Sequence, residues 1–134
     1  MGKNRKTRIS IIALIIVVLI VIIGYNYIYQ DHRNIEKEKA TFSLSADEIS
    51  AEFSKDPDTA EKKYLNKTVE IYGTITELNP MDMTLNNNVY GAFNISLTAT
   101  TSYHINSKIK IKGRCIGYDD LLEQVKLDQC TISD

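Results

Sequence analysis

Tryptophan is absent from this 134-residue chain, and histidine, cysteine and proline occur only twice each. Each scarcity removes a class of chemistry. His32 lies in a mixed-charge stretch and His104 in a polar one beside Tyr103, settings where an imidazole is ordinarily solvated, so a histidine-based triad has only His104 to draw on. Cys115 and Cys130 do not form the Cys-x-x-Cys pair that favours thiol redox chemistry, and a zinc site would want four closely spaced ligands. There is no Gly-rich phosphate loop, no Gly-x-Ser-x-Gly and no His-Glu-x-x-His. No catalytic residue, metal ligand or cofactor is therefore expected. Single-strand nucleic-acid binders also need exposed rings for base stacking. Tyr72, Tyr90 and Phe93 are available, and Phe93 is in phase with the core.

Basic charge is scarce too, outside one place. Residues 1–8 carry Lys3, Arg5, Lys6 and Arg8 with no acid, while the remaining 12 basic residues face 17 acidic ones. A domain with a net charge of −5 is a poor partner for nucleic acid, whose binding rests on neutralising phosphates. Four cations ahead of an apolar run instead suggest membrane orientation.

What the chain does have is one long hydrophobic run. From Ile9 to Tyr29 no residue is charged, and 21 residues of helix at about 1.5 Å each span roughly 30 Å, the hydrocarbon thickness of a bilayer. Tyr25, Tyr27 and Tyr29 suit the interfacial aromatic belt. A cleaved signal peptide would have a shorter apolar core and a small-x-small site, which Gly24-Tyr25-Asn26 and its neighbours do not offer. No cysteine follows for a lipid anchor, and a buried core helix would not be apolar on every face. The expected arrangement is a cytoplasmic basic stub at 1–8, a transmembrane helix at 9–29 whose partner is the lipid bilayer, a tether at 30–43, and an extracytoplasmic domain at 44–134, with the N-terminus inside a cytoplasmic (inner) membrane.

Within the domain, Ser45-Ala46-Asp47-Glu48 has the spacing of a capping box, and Leu44, Ile49 and Phe53 supply a short apolar stripe. Asp56-Pro57 places a capping residue before a proline at the first helical position, with Ala60, Tyr64 and Leu65 as the buried side. After Asn66 the period changes to two. Val69, Ile71, Gly73 and Ile75 alternate with polar residues, and the central glycine suggests a bend or bulge. A short strand at Met83–Leu85, an Asn86-Asn87-Asn88 turn that tolerates positive φ, and a return strand carrying Val89, Gly91, Phe93, Ile95 and Leu97 on one face follow. The fourth strand runs Lys108–Cys115 with Ile109 and Ile111 inward, and the fifth Glu123–Ile132. Five short strands with a bent first strand make a small closed barrel.

The segments AEKKYLNKTVEIYGTITEL (60–78), KIKIKGRCIGY (108–118) and VKLDQCTI (125–132) resemble the "tRNA anti-like" group of bacterial proteins. In that group a helical segment and a K-Y-x-x-K-x-V-x-V-x-G-x-V opening precede a barrel ending in V-x-V-x-G-x-C and V-x-L-x-x-C strands. The resemblance covers about residues 45–132 and implies an OB-fold and a cell-envelope location, with no assigned activity. The expected fold is thus α+β, a single transmembrane helix followed by a helix-capped five-stranded OB-fold barrel.

Two groups of residues are candidates for function. Lys108, Lys110, Lys112 and Arg114 project from one face of the fourth strand. Together with Tyr72 and Tyr90 they could follow an anionic ligand; alternatively their stems cover the barrel and their charges pair across strands with Glu70 or Asp128. Asp119, Asp120 and Glu123 offer too few oxygens for calcium, and two Asn-x-Ser/Thr acceptors at Asn66 and Asn94 are coincidental in a bacterial host. Cys115 and Cys130, outside the cytoplasm and near facing strand ends, are expected to form a structural disulfide, provided a bulge near Asp128-Gln129 turns Cys130 inward. The expected function is a non-catalytic binding or interaction module for a protein or envelope component. An oligonucleotide binder is the alternative, and a thiol redox protein a weaker one.

Overall fold

The chain is described by a computed structural model over residues 2–28, 33–97 and 102–133. Tyr29, His32 and residues 98–101 of the connection before the fourth barrel strand lie outside the described residues. Two units form, residues 1–33 and 34–134.

The first unit is helix α1 (Gly2–Ile28), whose apolar stretch from Asn4 to Ile28 is long and apolar enough to cross a membrane. Its isoleucines, leucines and valines are exposed on every side, from Ile9 to Ile28, so no face is reserved for a protein core.

The second unit contains β1 (Phe42–Ser45), α2 (Ala46–Lys55), α3 (Pro57–Tyr64), β2 (Thr68–Leu78), β3 (Asp82–Leu85), β4 (Val89–Phe93), β5 (Lys108–Asp119) and β6 (Gln124–Ser133). Both helix starts are the expected ones. Ser45 Oγ accepts from Glu48 N at 3.1 Å while Ser45 N donates to Glu48 Oε2 at 2.7 Å. Asp56 Oδ1 accepts from Thr59 N at 3.2 Å, and Pro57 enforces the break from α2 by excluding helical geometry at Asp56 (φ −152°, ψ 89°).

β2 pairs with β3, β3 with β4, β4 with β6, β6 with β5, and β5 returns to β2. That circuit closes a five-stranded barrel with one parallel contact, β4 with β6. β2 is long because it serves two neighbours on one edge: its first half takes β1 in parallel at 42–45, and its second half takes β3. Closure needs strong coiling, and register shifts occur in the β2–β3, β4–β6 and β5–β6 ladders. Ile71, Ile75, Leu85, Val89, Ile111, Val125 and Leu127 fill the interior, with Ile49, Phe53 and Tyr64 of the helices buried against them. At about 1.5–3 kcal/mol per fully buried large apolar side chain, this cluster is the main source of the domain's stability. Phe53 stacks on Tyr118 at 5.3 Å and 10° and fixes α2 over β5.

Several details depart from the pattern read in the sequence. Ile35, assigned to the tether, is buried, and Phe42–Ser45 is a strand, so residues 34–43 contribute to the folded unit. β4 stops at Phe93, which leaves Ile95 61% exposed. Leu65 caps α3 instead of packing beneath it.

The largest departure concerns the cysteines, which are both free and buried. The required bulge is present: Gln129 takes φ 49°, the β5–β6 register shifts between Lys112 and Arg114, and Cys130 turns inward. Yet Cys115 sits opposite Leu127, whereas Cys130 lies against Gly113 and pairs in register with Phe93 on β4. The two are one inward step out of register. Diagonal neighbours of that kind stand about 7–8 Å apart, beyond the roughly 4.4–6.8 Å between Cα atoms that a disulfide spans. The expected staple is replaced by two thiols packed as small apolar groups.

Candidate functional site

The outer face of the β2–β5 ladder carries the basic rib. Across the two strands Arg114 faces Thr68, Lys112 faces Glu70, Lys110 faces Tyr72 and Lys108 faces Thr74. Period-two alternation puts the four basic side chains, Glu70, Tyr72 and Thr74 on the face opposite the buried Val69, Ile71 and Ile111, while Thr68 at the start of β2 is itself buried.

Charge neutralisation along this rib is uneven. Arg114 grips Asp128 of β6 with two hydrogen bonds, Nε to Oδ1 at 2.9 Å and Nη2 to Oδ2, and this carboxylate raises the guanidinium's pKa. Lys112 Nζ donates to the carbonyl oxygen of Glu36 at 2.8 Å. Lys110 Nζ lies 3.8 Å from Glu70 Oε1, a long and partly exposed pair of small energetic weight. Glu70 itself is held below the ordinary carboxylate range, first by the Ser133 hydroxyl at 2.7 Å, then by Ser43 at 3.1 Å and the nearby Lys110 and Lys112 charges. Among the described residues Lys108 alone of the four has no hydrogen-bond or ion-pair partner.

Lys108 stands at the edge of an open cleft of about 460 Å³. Tyr72, Thr74, Ile109, Lys110, Ser45 and Asn86 share its lining. The cleft exists because β2 changes neighbours there: β1 ends at Ser45 opposite Tyr72, and pairing with β3 starts only at Ile75, opposite Leu85 at the end of β3. Asn86, at φ 50° in the β3–β4 turn, fills the vacant rung. Its Oδ1 accepts from Thr74 N at 2.8 Å and its own N donates to Thr74 O at 2.9 Å. Gly73 permits this approach, since a Cβ there would lie 3.1 Å from Asn86 Oδ1 and 3.3 Å from Ala46 Cβ.

The structure thus gathers Tyr72, Lys108 and Lys110 and leaves the other candidates apart. Lys112 and Arg114 are bound to protein acceptors. Tyr90, on β4, lies under Lys126 Nζ at 4.5 Å from the ring centroid, and burial together with Asp82 raises its phenol pKa. Cys115 is inward and its thiol is pushed up to about 11 by burial, while Cys130 is raised further by burial and by Asp128. In the β5–β6 loop Asp119 Oδ1 accepts from the amides of Leu121 and Leu122 at 2.9 and 3.0 Å. Among the described residues no group of three or more His, Cys, Asp and Glu side chains is placed to hold a metal. Ser45, Thr74 and Asn86 were not legible as cleft residues. The asparagine run signalled a turn, and nothing local indicated that its first side chain would complete a neighbouring strand.

A closed five-stranded barrel in the order β2-β3-β4-β6-β5, with β4 parallel to β6 and a helical segment packed against it, defines an α+β OB-fold protein. The chain belongs to the tRNA_anti-like family, whose profile matches residues 1–130. Among solved structures it is similar to a protein of Klebsiella pneumoniae subsp. pneumoniae MGH 78578 described as a "putative nucleic acid-binding lipoprotein", with 17% identity and a TM-score of 0.51 over 69% of this chain and 91% of that one. At that identity the likeness concerns the fold. A search of curated proteins finds no match.

Proposed function

We propose that the chain is a single-pass protein of a cytoplasmic membrane, held by residues 9–29 with its N-terminus inside, that displays the barrel on the outer side as a non-catalytic binding module for a protein or envelope component. The placement is supported by the uniformly apolar α1 and the four cations that precede its apolar part. The observation that carries the binding role is the cleft at Tyr72, where Lys108, the one cation of the rib without a hydrogen-bond or ion-pair partner among the described residues, stands beside an exposed ring. Polar and aromatic groups converging on a concave surface are the usual mark of a ligand site.

Oligonucleotide binding is the second reading, favoured by the description of the Klebsiella protein. Against it stands the wall on which OB-folds commonly take such ligands, their second and third strands with the adjoining loops. In this chain that wall carries Asp82, and the β5–β6 loop carries Asp119, Asp120 and Glu123. Of its two aromatics, Phe93 is buried and Tyr90 is already engaged by Lys126. Thiol redox chemistry is disfavoured by the burial of both cysteines.

Two measurements test the proposal. A reporter enzyme that works only outside the cytoplasm, fused after Asp134, is expected to be active; silence there, with activity of a cytoplasmic reporter, overturns the placement. Full-length protein titrated with a single-stranded oligonucleotide at two salt concentrations is expected to bind weakly. Micromolar or tighter affinity that falls steeply with salt would establish the second reading instead.

A further inference from the structure

We infer that the Tyr72 cleft takes a small ligand in which one anionic group is joined to a flat ring, the anion held by Lys108 and the ring laid on Tyr72. The inference rests on the binding-module reading and names the chemistry of its site.

The lining is rich in hydrogen-bond donors. Lys108 and Lys110 present ammonium groups, which only donate. Asn86 Oδ1 already accepts from the amide of Thr74, and its NH₂ adds two donors. Ser45 Oγ already accepts from Glu48 N, and its hydroxyl proton is able to donate. Every polar side chain at the rim can therefore donate, and among the described residues no carboxylate lines the cleft; Glu70 of the rib accepts from Ser133 and Ser43. A neutral ligand would leave Lys108 uncompensated and Lys110 only weakly paired with Glu70, and a cationic ligand would be repelled.

The rest of the lining is apolar and flat. Tyr72 is 47% exposed, with no aromatic neighbour and no cation over its ring among the described residues, unlike Tyr90. Ile109, which also packs against the core, and Gly73 line the cleft with it. A volume of about 460 Å³ accommodates one ring system with one substituent, near the lower end of the roughly 300–1,000 Å³ typical of ligand pockets. A polymer is not required to fill it. Lys110 is free to contribute a second contact because its long pair with Glu70 is weak.

The test uses the full-length protein in zwitterionic nanodiscs, observed by saturation-transfer NMR and calorimetry. Two matched pairs serve as probes: 2-naphthoate with 2-naphthamide, and adenosine 5′-monophosphate with adenosine. The anionic member of at least one pair is expected to bind, its neutral counterpart about tenfold or more weakly, in line with loss of one charge-assisted hydrogen bond. Which pair responds distinguishes a carboxylate from a phosphate source. Lys108→Gln and Tyr72→Ala should each weaken binding about tenfold, while Lys126→Gln and Tyr90→Ala leave it unchanged. Equal binding of neutral and anionic probes, equal losses at Tyr90, or no binding of either anion overturns the inference. The reporter fusion separates this from the parent reading: an active reporter with no anion bound removes the ligand class alone. A silent reporter with anion binding intact removes the membrane placement alone.

Discussion

Cys130 Sγ occupies the space that a side chain on Gly113 would need, 2.5 Å from the position of a Cβ there. The same Cβ would lie 3.0 Å from the Asp128 carbonyl oxygen. The bulge that turns Cys130 inward is thus accommodated by the absence of a side chain on the facing strand. Gly113→Ala is expected to destabilise the domain by about 1–3 kcal/mol, read from chemical denaturation. Part of that loss should return in Gly113→Ala with Cys130→Ala, because the clash with sulfur is gone; strict additivity would contradict the packing described. Alkylation of the denatured protein without reductant should add two labels, one per thiol, and in the native state neither should react.

Gly73 sets a second close approach. A Cβ would meet Asn86 Oδ1, Leu85 Cβ and Ala46 Cβ at 3.1, 3.2 and 3.3 Å, so Gly73→Val crowds the turn and the start of α2 together. The expected cost is about 1–3 kcal/mol, whereas Tyr72→Thr, on the exposed side, should cost far less. Thermal melts of the two variants check this, and a larger loss for Tyr72→Thr would mean that the strand's phase is reversed.

Ile35 ties the segment before β1 into the barrel, being 1% exposed, and Glu36 O receives Lys112. Ile35→Ala is expected to cost about 2–5 kcal/mol, as for other buried large-to-small changes. A soluble fragment beginning at Asn34 should melt well above one beginning at Ala40. Equal melting temperatures would show that residues 34–39 add nothing to the fold.

Glu70 makes stability depend on acid pH. Its folded pKa lies below the ordinary glutamate value of 4.5, chiefly through the Ser133 hydroxyl. A depressed folded pKa stabilises the folded state above the unfolded value, and that contribution is lost as pH falls below about 4.5 and through the folded value. Glu70→Gln should therefore lower stability at pH 7 and flatten this limb of the acid transition. Denaturant titrations between pH 7 and pH 3 measure it, and parallel curves for the two proteins would contradict the assignment.

The sequence by itself determined the features that are local or periodic. An uncharged run of 21 residues marks α1, two capping patterns mark the starts of α2 and α3, and alternation places Val69, Ile71 and Ile111 inward with Tyr72 and the basic rib outward. Each follows from a few neighbouring residues, because helix caps and strand faces are decided within one or two turns of chain. Tertiary structure alone decided what lies beside each outward group. Period two says which way Lys112 points but not that the Glu36 carbonyl, 76 residues away, waits there. It likewise puts Cys115 inward without revealing that a bulge moves Cys130 one step past it, against Gly113. The cleft arises where β2 exchanges β1 for β3 and Asn86 fills the gap, a junction of four chain segments. Register and bulges are set by closing the barrel as a whole, so the difference between Lys108, at the cleft without a partner among the described residues, and Arg114, neutralised by Asp128, is a property of the closed sheet and not of either residue's neighbours in sequence.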